Sequence, residues 1–165
     1  YFQMPLAFRY YDTARVLAVA LSRKFRLEKD ISSRLPKVAV ISPSSGGIPV
    51  AFGVRDALNA EQIYWAEQEH GERMFRQYVN QGEVHPCIIV DDIIRSGNAI
   101  EETVELVKSL GGRIIGCGAI VRFSAAPGEV EGVPIKSLVE FDARMYDSGD
   151  CKECKSGVPE EQVRF

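Results

Sequence analysis

A chain of 165 residues, 45% hydrophobic and 26% charged, is enough for one compact globular domain with a single core. A net charge of −3 and a pI near 5.5 argue against a protein that coats nucleic acid, because neutralising phosphates needs surplus Lys and Arg. No apolar run approaches the ~20 residues needed to cross a bilayer, so no membrane partner is expected.

Tyr1-Phe2-Gln3-Met4 lacks the basic flank and apolar stretch of a signal peptide, and a cytoplasmic address is expected. Tyr1 to Gln3 reads as a strand running into Met4-Pro5-Leu6-Ala7-Phe8, as if the chain began inside a fold. Asp12 marks a helix start, and Ala14, Leu17, Ala18, Leu21 and Phe25 recur at helical spacing to give one apolar face. Lys37 to Ile41 is a short β-branched run that predicts a buried strand. The loop Ser42-Pro43-Ser44-Ser45-Gly46-Gly47 follows. A second helix begins near Ile48-Pro49, where proline fits the first turn, and Ala51, Val54 and Leu58 form its stripe.

Ile63 to Ala66 predicts a third buried segment, a strand. Residues 67–85 are polar, contain Gly71 and Gly82, and are long for a connection, which predicts a functional flap or extended hairpin; Phe75 and Tyr78-Val79 make a strand within it. Cys87 to Val90 is another buried strand, Asp91 to Gly97 a loop, and Asn98 to Leu110 a helix stopped by Gly111-Gly112. Ile114 to Val121 is the next strand, and Gly116 and Gly118 in it suggest close backbone approach. Ile135 to Phe141 reads as the last. The expected fold is α/β, a mainly parallel twisted sheet with helices on both faces, and ligands are expected at the carboxyl ends of its strands. Of four cysteines, Cys87 and Cys117 lie in apolar runs and read as buried hydrophobes. Cys151 and Cys154 form a C-x-x-C that supplies only half of a tetrahedral zinc site, and read as free thiols.

The loop after Val90 carries the chemistry. Two carboxylates, Asp91 and Asp92, end an apolar strand, and Arg95-Ser96-Gly97-Asn98-Ala99 opens a helix. A helix start offers unpaired N–H groups and partial positive charge, which suit a phosphate. The acids would repel that phosphate. They make sense facing ribose hydroxyls, Mg²⁺ through water, or positive charge developing on a sugar. A plainer reading is that the acids cap a turn at the sheet edge.

Ile88 to Ile100 also resembles the signature of type I phosphoribosyltransferases, roughly VVVDDVITTGGTA, across its whole length. Arg95 stands where Thr is usual, Asn98 replaces a Gly and Ala99 a hydroxyl residue; Asn98 tolerates positive φ better than most substitutes. The loop Ser42 to Pro49 is similar to the orotate branch of that family, in which a proline and two small residues precede Gly-Gly-Ile-Pro. The resemblance implies that Ser44, Ser45, Gly46 and Gly47 hold pyrophosphate and that Arg95, Ser96, Gly97, Asn98 and Ala99 hold the 5′-phosphate. It implies that Asp91 and Asp92 serve the ribose and Mg²⁺.

Residues 64–76 are similar to the family's catalytic flap through Ala66, Glu67, Gly71 and Arg76. Gln68 replaces an Arg and the flap lysines of other branches are absent, which leaves Arg73 and Arg76 to meet the diphosphate, in this chain or across a dimer. His70 reads as a loop residue that could also meet a proton or phosphate. In the orotate branch an Arg at the place of Arg122 contacts the base. The cysteine-containing tail is similar too, so 1–165 is expected to be a single phosphoribosyltransferase-like domain, with 1–11 as the edge strand of a truncated hood and 142–165 as a C-terminal tail. The implied activity is transfer of a 5-phosphoribosyl group from phosphoribosyl diphosphate to orotate by a Mg²⁺-dependent homodimer. Two alternatives are transfer to a purine or other base, and a regulator that binds phosphoribosyl diphosphate without turnover.

Overall fold

Alternation along the strands builds two cores at once. Val38 and Val40, like Ile88 and Val90, face one core, while Ala39 and Ile41, like Cys87 and Ile89, face the other. A strand buried on both faces has no polar positions to spare, and it therefore reads as a continuous apolar run. The computed structural model describes residues 3–142, 146 and 149–158. The helices are α1 (Met4–Phe8), α2 (Tyr11–Arg26), α3 (Lys29–Ser32), α4 (Ile48–Leu58), α5 (Asn98–Ser109) and α6 (Lys152–Lys155). The strands are β1 (Ala39–Ser42), β2 (Gln62–Glu69), β3 (Glu72–Phe75), β4 (Cys87–Ile94), β5 (Ile114–Phe123), β6 (Glu129–Val130) and β7 (Val133–Phe141).

The strands form one sheet in the order β3-β2-β1-β4-β5-β7-β6. The pairs β1–β2, β1–β4, β4–β5 and β5–β7 are parallel; β2–β3 and β6–β7 are antiparallel. Helices α2 and α4 supply Ala18, Leu21, Phe25, Val50, Val54 and Leu58 to the first core, and α5 supplies Ile100, Val104 and Val107 to the second. Helices thus cover both faces. Phe25 and Leu21 are fully buried, each worth roughly 1.5–3 kcal/mol of transfer free energy. They fit because β5 lacks side chains below them: a Cβ on Gly118 would stand 3.0 Å from the Phe25 ring and 2.6 Å from the Lys136 carbonyl oxygen. The crossing of α2 and α4 has a similar cause, since a Cβ on Gly53 would meet that of Ala18 at 2.4 Å.

The topology locates a crevice. From β1 the chain moves outward through α4 to β2; from β4 it moves the other way through α5 to β5. The strand order reverses between β1 and β4, and such a switch point leaves a cleft at the carboxyl ends. Register deepens it. Strand β1 stops at Ser42 and pairs with β4 only as far as Ile41 and Ile89, while β4 runs on to Ile94 against β5.

Four details differ from expectation. Met4–Phe8 is helical rather than a strand: Pro5 suits a first turn, and Met4 packs into the first core. Tyr1 and Phe2 lie outside the described residues. Asp91 and Asp92 belong to β4 rather than a loop, because Ile93 and Ile94 beyond them carry the ladder on to Val121 and Arg122. The hairpin strand is Glu72–Phe75, and Tyr78, almost fully exposed, lies outside any strand. The left-handed residue before α5 is Gly97, with φ +94°, whereas Asn98 is the first helical residue. Helix α3 and strand β6 are short additions without a sequence signal. No helix among the described residues is long and apolar enough to cross a membrane.

Candidate active site

Three segments meet at the crevice: the turn from β1 into α4, the overhanging end of β4, and the turn from β4 into α5. Ser42 closes the first by donating its hydroxyl to the Ser44 carbonyl at 2.6 Å. The Ser44 hydroxyl then donates to Asp91 Oδ1 at 2.8 Å and accepts from the Gly47 amide at 3.2 Å. The serine turn is thereby tied to the acid pair across 47 positions of sequence.

Both glycines of this turn are needed for room. A Cβ on Gly47 would stand 2.4 Å from Asp91 Oδ1, and one on Gly46 3.0 Å from Asp92 Oδ2. Asp91 is 5% exposed, and burial, followed by the neighbouring Asp92 charge, pushes its carboxyl up to about 8. The Ser44 hydroxyl and the Asp92 amide, 3.0 Å away, pull in the opposite direction. Asp92 is half-buried, and its Oδ1 accepts from the Ile93 amide at 2.8 Å. The two adjacent acids therefore differ in role. Asp91 is locked into the turn, while Asp92 is the one with open surface.

On the α5 side, Gly97 takes the left-handed conformation that a side chain resists, and its carbonyl accepts from the Ile100 and Glu101 amides. Ser96 Oγ accepts weakly from the Asn98 amide at 3.5 Å. The amides of Ser96, Gly97 and Ala99 meet no acceptor among the described residues. Such a helix mouth suits an anion. Arg95, Ser96 and Asn98 are exposed beside it.

The hairpin β2–β3 closes the third side. Its turn is two residues long, His70 and Gly71, both at positive φ, as hairpin twist demands. His70 is thus explained by the turn. Arg73 Nε donates to Glu102 Oε2 of α5 at 2.8 Å, and its Nη1 donates to the Pro43 carbonyl. A cleft of about 390 Å³ is lined by Ser44, Ser45, Glu67, Gln68 and Arg73. Arg76 does not join them. It pairs with Glu67 at 2.6 Å and Glu69 at 3.2 Å, and Glu67 holds its guanidinium above the usual range.

Arg122 stands apart as well. Its Nη2 pairs with Glu140 at 2.7 Å and its Nη1 donates to the Ala126 and Pro127 carbonyls at 2.9 and 3.4 Å. The structure therefore gathers Ser44, Ser45, Gly46, Gly47, Asp91, Asp92 and Arg73, with the amides of 95–99 at the neighbouring strand end. Sequence reading missed Ser42, the Pro43 carbonyl and Glu102. A serine ending an apolar strand and a carboxylate early in α5 were the only local hints.

A family model described as phosphoribosyl transferase domain matches residues 13–142. The chain is 30% identical over 160 residues to the orotate phosphoribosyltransferase of Caldanaerobacter subterraneus, covering 96% of this chain and 79% of that one. Among solved structures, orotate phosphoribosyltransferase from Aeropyrum pernix superposes with a TM-score of 0.65 at 21% identity, covering 85% of this chain and 78% of that one. Adenine phosphoribosyltransferase from Thermoanaerobacter pseudethanolicus gives 0.64 at 17%, over 86% and 88%. The two likenesses of fold do not distinguish one base from another, but a family match across most of the chain and a relative aligned over nearly all of it establish that this chain belongs to the phosphoribosyl transferase domain family.

Proposed function

We propose that this protein transfers a 5-phosphoribosyl group from phosphoribosyl diphosphate to orotate, giving orotidine 5′-phosphate and pyrophosphate. One observation carries the reading. Two glycine-bearing turns open helices on opposite faces of the sheet, and an acid pair stands at the strand end beside them. A ligand with an anion at each end and hydroxyls between uses all three. The acceptor base follows from the relatives, several of which are orotate phosphoribosyltransferases about 30% identical to this chain.

In this reading the 44–47 turn takes the diphosphate through its amides and serine hydroxyls, and the 95–99 amides take the 5′-phosphate. As the bond from ribose C1 to the diphosphate oxygen breaks, positive charge grows on the sugar. Asp92 faces it, while Asp91 holds the turn and the acid pair in register. Arg73 offers the departing diphosphate a cation already beside Ser44. Catalysis is then mainly positioning and electrostatics. The hairpin excludes water from the reactive sugar.

Mg²⁺ fits this donor set only together with the substrate. No cluster of three or more His, Cys, Asp or Glu capable of holding a metal exists among the described residues, and Mg²⁺ commonly combines one or two carboxylates with water and substrate phosphates. Asp92, with Asp91 behind it, would hold it through water. Bound there, the ion would neutralise charge on the diphosphate.

A cytoplasmic homodimer completes the reading. The dimer is supported by apolar side chains left exposed on α1, α2 and α4, namely Leu6, Tyr11, Val16 and Phe52. Sedimentation velocity tests the dimer. The activity is tested spectrophotometrically with orotate, hypoxanthine and adenine in turn. Turnover with orotate alone is expected. Turnover with a purine instead would move the assignment to another base, and binding of phosphoribosyl diphosphate without turnover would make the protein a sensor.

A further inference from the structure

Arg122 is the penultimate residue of β5, opposite Ile94 of β4 and Glu140 of β7. Its guanidinium is committed inward. Nη1 reaches the carbonyls of Ala126 and Pro127, Nη2 holds Glu140, and Nε is sealed from solvent without a partner among the described residues. The side chain is only 13% exposed. Both Nη1 hydrogens go to the turn, and the guanidinium is held against the 124–127 segment rather than extended toward the crevice.

That turn touches the phosphate loop. A Cβ on Gly97 would stand 2.8 Å from Pro127 Cγ and 2.9 Å from its Cδ, so the proline ring lies directly on Gly97. The turn is fixed at its base by the Ser124 amide on the Phe141 carbonyl and by the Ala126 amide on the Phe123 carbonyl. Only Arg122 among the described side chains hydrogen-bonds to the Ala126 and Pro127 carbonyls. A continuous path thus runs from Arg122 through the Pro127 ring to Gly97, whose left-handed backbone sets the direction of the amides at the mouth of α5.

We propose that Arg122 is a positioning residue that holds Pro127 against Gly97 and thereby shapes the loop that takes the sugar's terminal phosphate, rather than a residue that contacts the base. This rests on the reading of 95–99 as a phosphate loop. It predicts that loss of Arg122 is felt at the phosphate end of the substrate and not at the base.

The test titrates wild type, Arg122→Gln and Pro127→Gly with ribose 5-phosphate and with inorganic pyrophosphate by calorimetry, and measures KM for phosphoribosyl diphosphate and for orotate. Both variants are expected to weaken ribose 5-phosphate and raise KM for phosphoribosyl diphosphate by about tenfold, with pyrophosphate affinity and KM for orotate within about twofold of wild type. Pro127→Gly leaves every buried polar group in place, so it keeps the test alive if Arg122→Gln unfolds. A raised KM for orotate with unchanged ribose 5-phosphate affinity would make Arg122 a base contact and overturn the proposal. So would a Pro127→Gly protein indistinguishable from wild type. If wild type itself binds no ribose 5-phosphate, the phosphate-loop reading falls first and this inference goes with it.

Discussion

Replacing Gly47 by alanine asks whether the serine turn and the acid pair form one rigid unit. The new methyl would stand 2.4 Å from Asp91 Oδ1, 2.6 Å from Ser42 Oγ and 3.1 Å from the Asp91 Cα. Non-bonded heavy atoms settle near ~3.5–4.0 Å, so about 1 Å of displacement is required. Neither neighbour can swing into solvent, because Ser42 is 0% and Asp91 5% exposed. The backbone offers no excuse either: φ at Gly47 is −79°, which alanine adopts freely. The effect is therefore steric. Overpacking costs roughly 1–3 kcal/mol, and losing the Ser44–Asp91 hydrogen bond adds about 1 kcal/mol. A total of about 2–4 kcal/mol lowers the thermal midpoint of a chain this size by roughly 5–15 °C. A misplacement of this size in a reacting centre can cost ~100-fold in turnover. Thermal unfolding by circular dichroism and the orotate assay read the two effects. Gly132→Ala is the control, with φ +72° and nothing within 4 Å of the added carbon; it should cost about 1–2 kcal/mol and leave turnover unchanged. A Gly47→Ala protein with wild-type midpoint and turnover would refute the picture of a packed turn.

Asp92→Asn should fold normally, because the amide oxygen can still accept from the Ile93 N–H, but turnover should fall about 100-fold or more as the charge facing the sugar disappears; unchanged activity would contradict the role given to Asp92. Burial pushes the Cys87 and Cys117 thiols up to about 12, whereas hydrogen bonds from Cys154 lower that of Cys151. At pH 8 a thiol reagent should therefore modify Cys151 readily in the native protein and reach Cys87 and Cys117 only after denaturant is added, since the thiolate is the reactive form. Phe25→Ala, at a fully buried ring lying over Gly116 and Gly118, should cost about 3–5 kcal/mol in urea unfolding; a loss below ~1 kcal/mol would mean that this core closes without it.

The strands of this fold were legible because a parallel sheet covered on both faces leaves long apolar runs, as at 38–41, 87–90 and 114–121. The two turns at the crevice were legible through Gly46, Gly47 and Gly97, where the structure leaves little space for a side chain. Other features were hidden for identifiable reasons. Aspartate disfavours strands, so the pair at 91–92 reads as the end of β4, although Ile93 and Ile94 continue the ladder on partners some 28 residues away. Aromatic residues at the start suggest a strand, but the helix there is decided by Pro5 and by a site in the first core for Met4. Tyr78 and Val79 carry strand propensity but join no strand. The pairing of Arg122 with Glu140 is long-range, and its bonds to the Ala126 and Pro127 carbonyls depend on how the following turn folds back, which no residue type there announces.

The same limit applies to the two arginines of the hairpin, and here strand geometry decides. In an antiparallel pair side chains alternate between faces, and directly opposed residues share one. Arg73 opposes Gln68, and Phe75 opposes Ala66, which places Arg73 on the side where Phe75 packs on Tyr64 and where Glu102 and Pro43 lie. Arg76 reaches Glu67 and Glu69, which alternate to the opposite side. Arg73 therefore lines the cleft directly, whereas Arg76 is held back by carboxylates. The present partner of Arg73 is replaceable: Glu102 is 43% exposed, and an ion pair with so exposed a member is worth about 0–1 kcal/mol, less than a multiply charged diphosphate can offer the same guanidinium. Arg76 is paired with Glu67, which also lines that cleft, so a diphosphate bound beside Arg73 competes with this carboxylate for the second guanidinium.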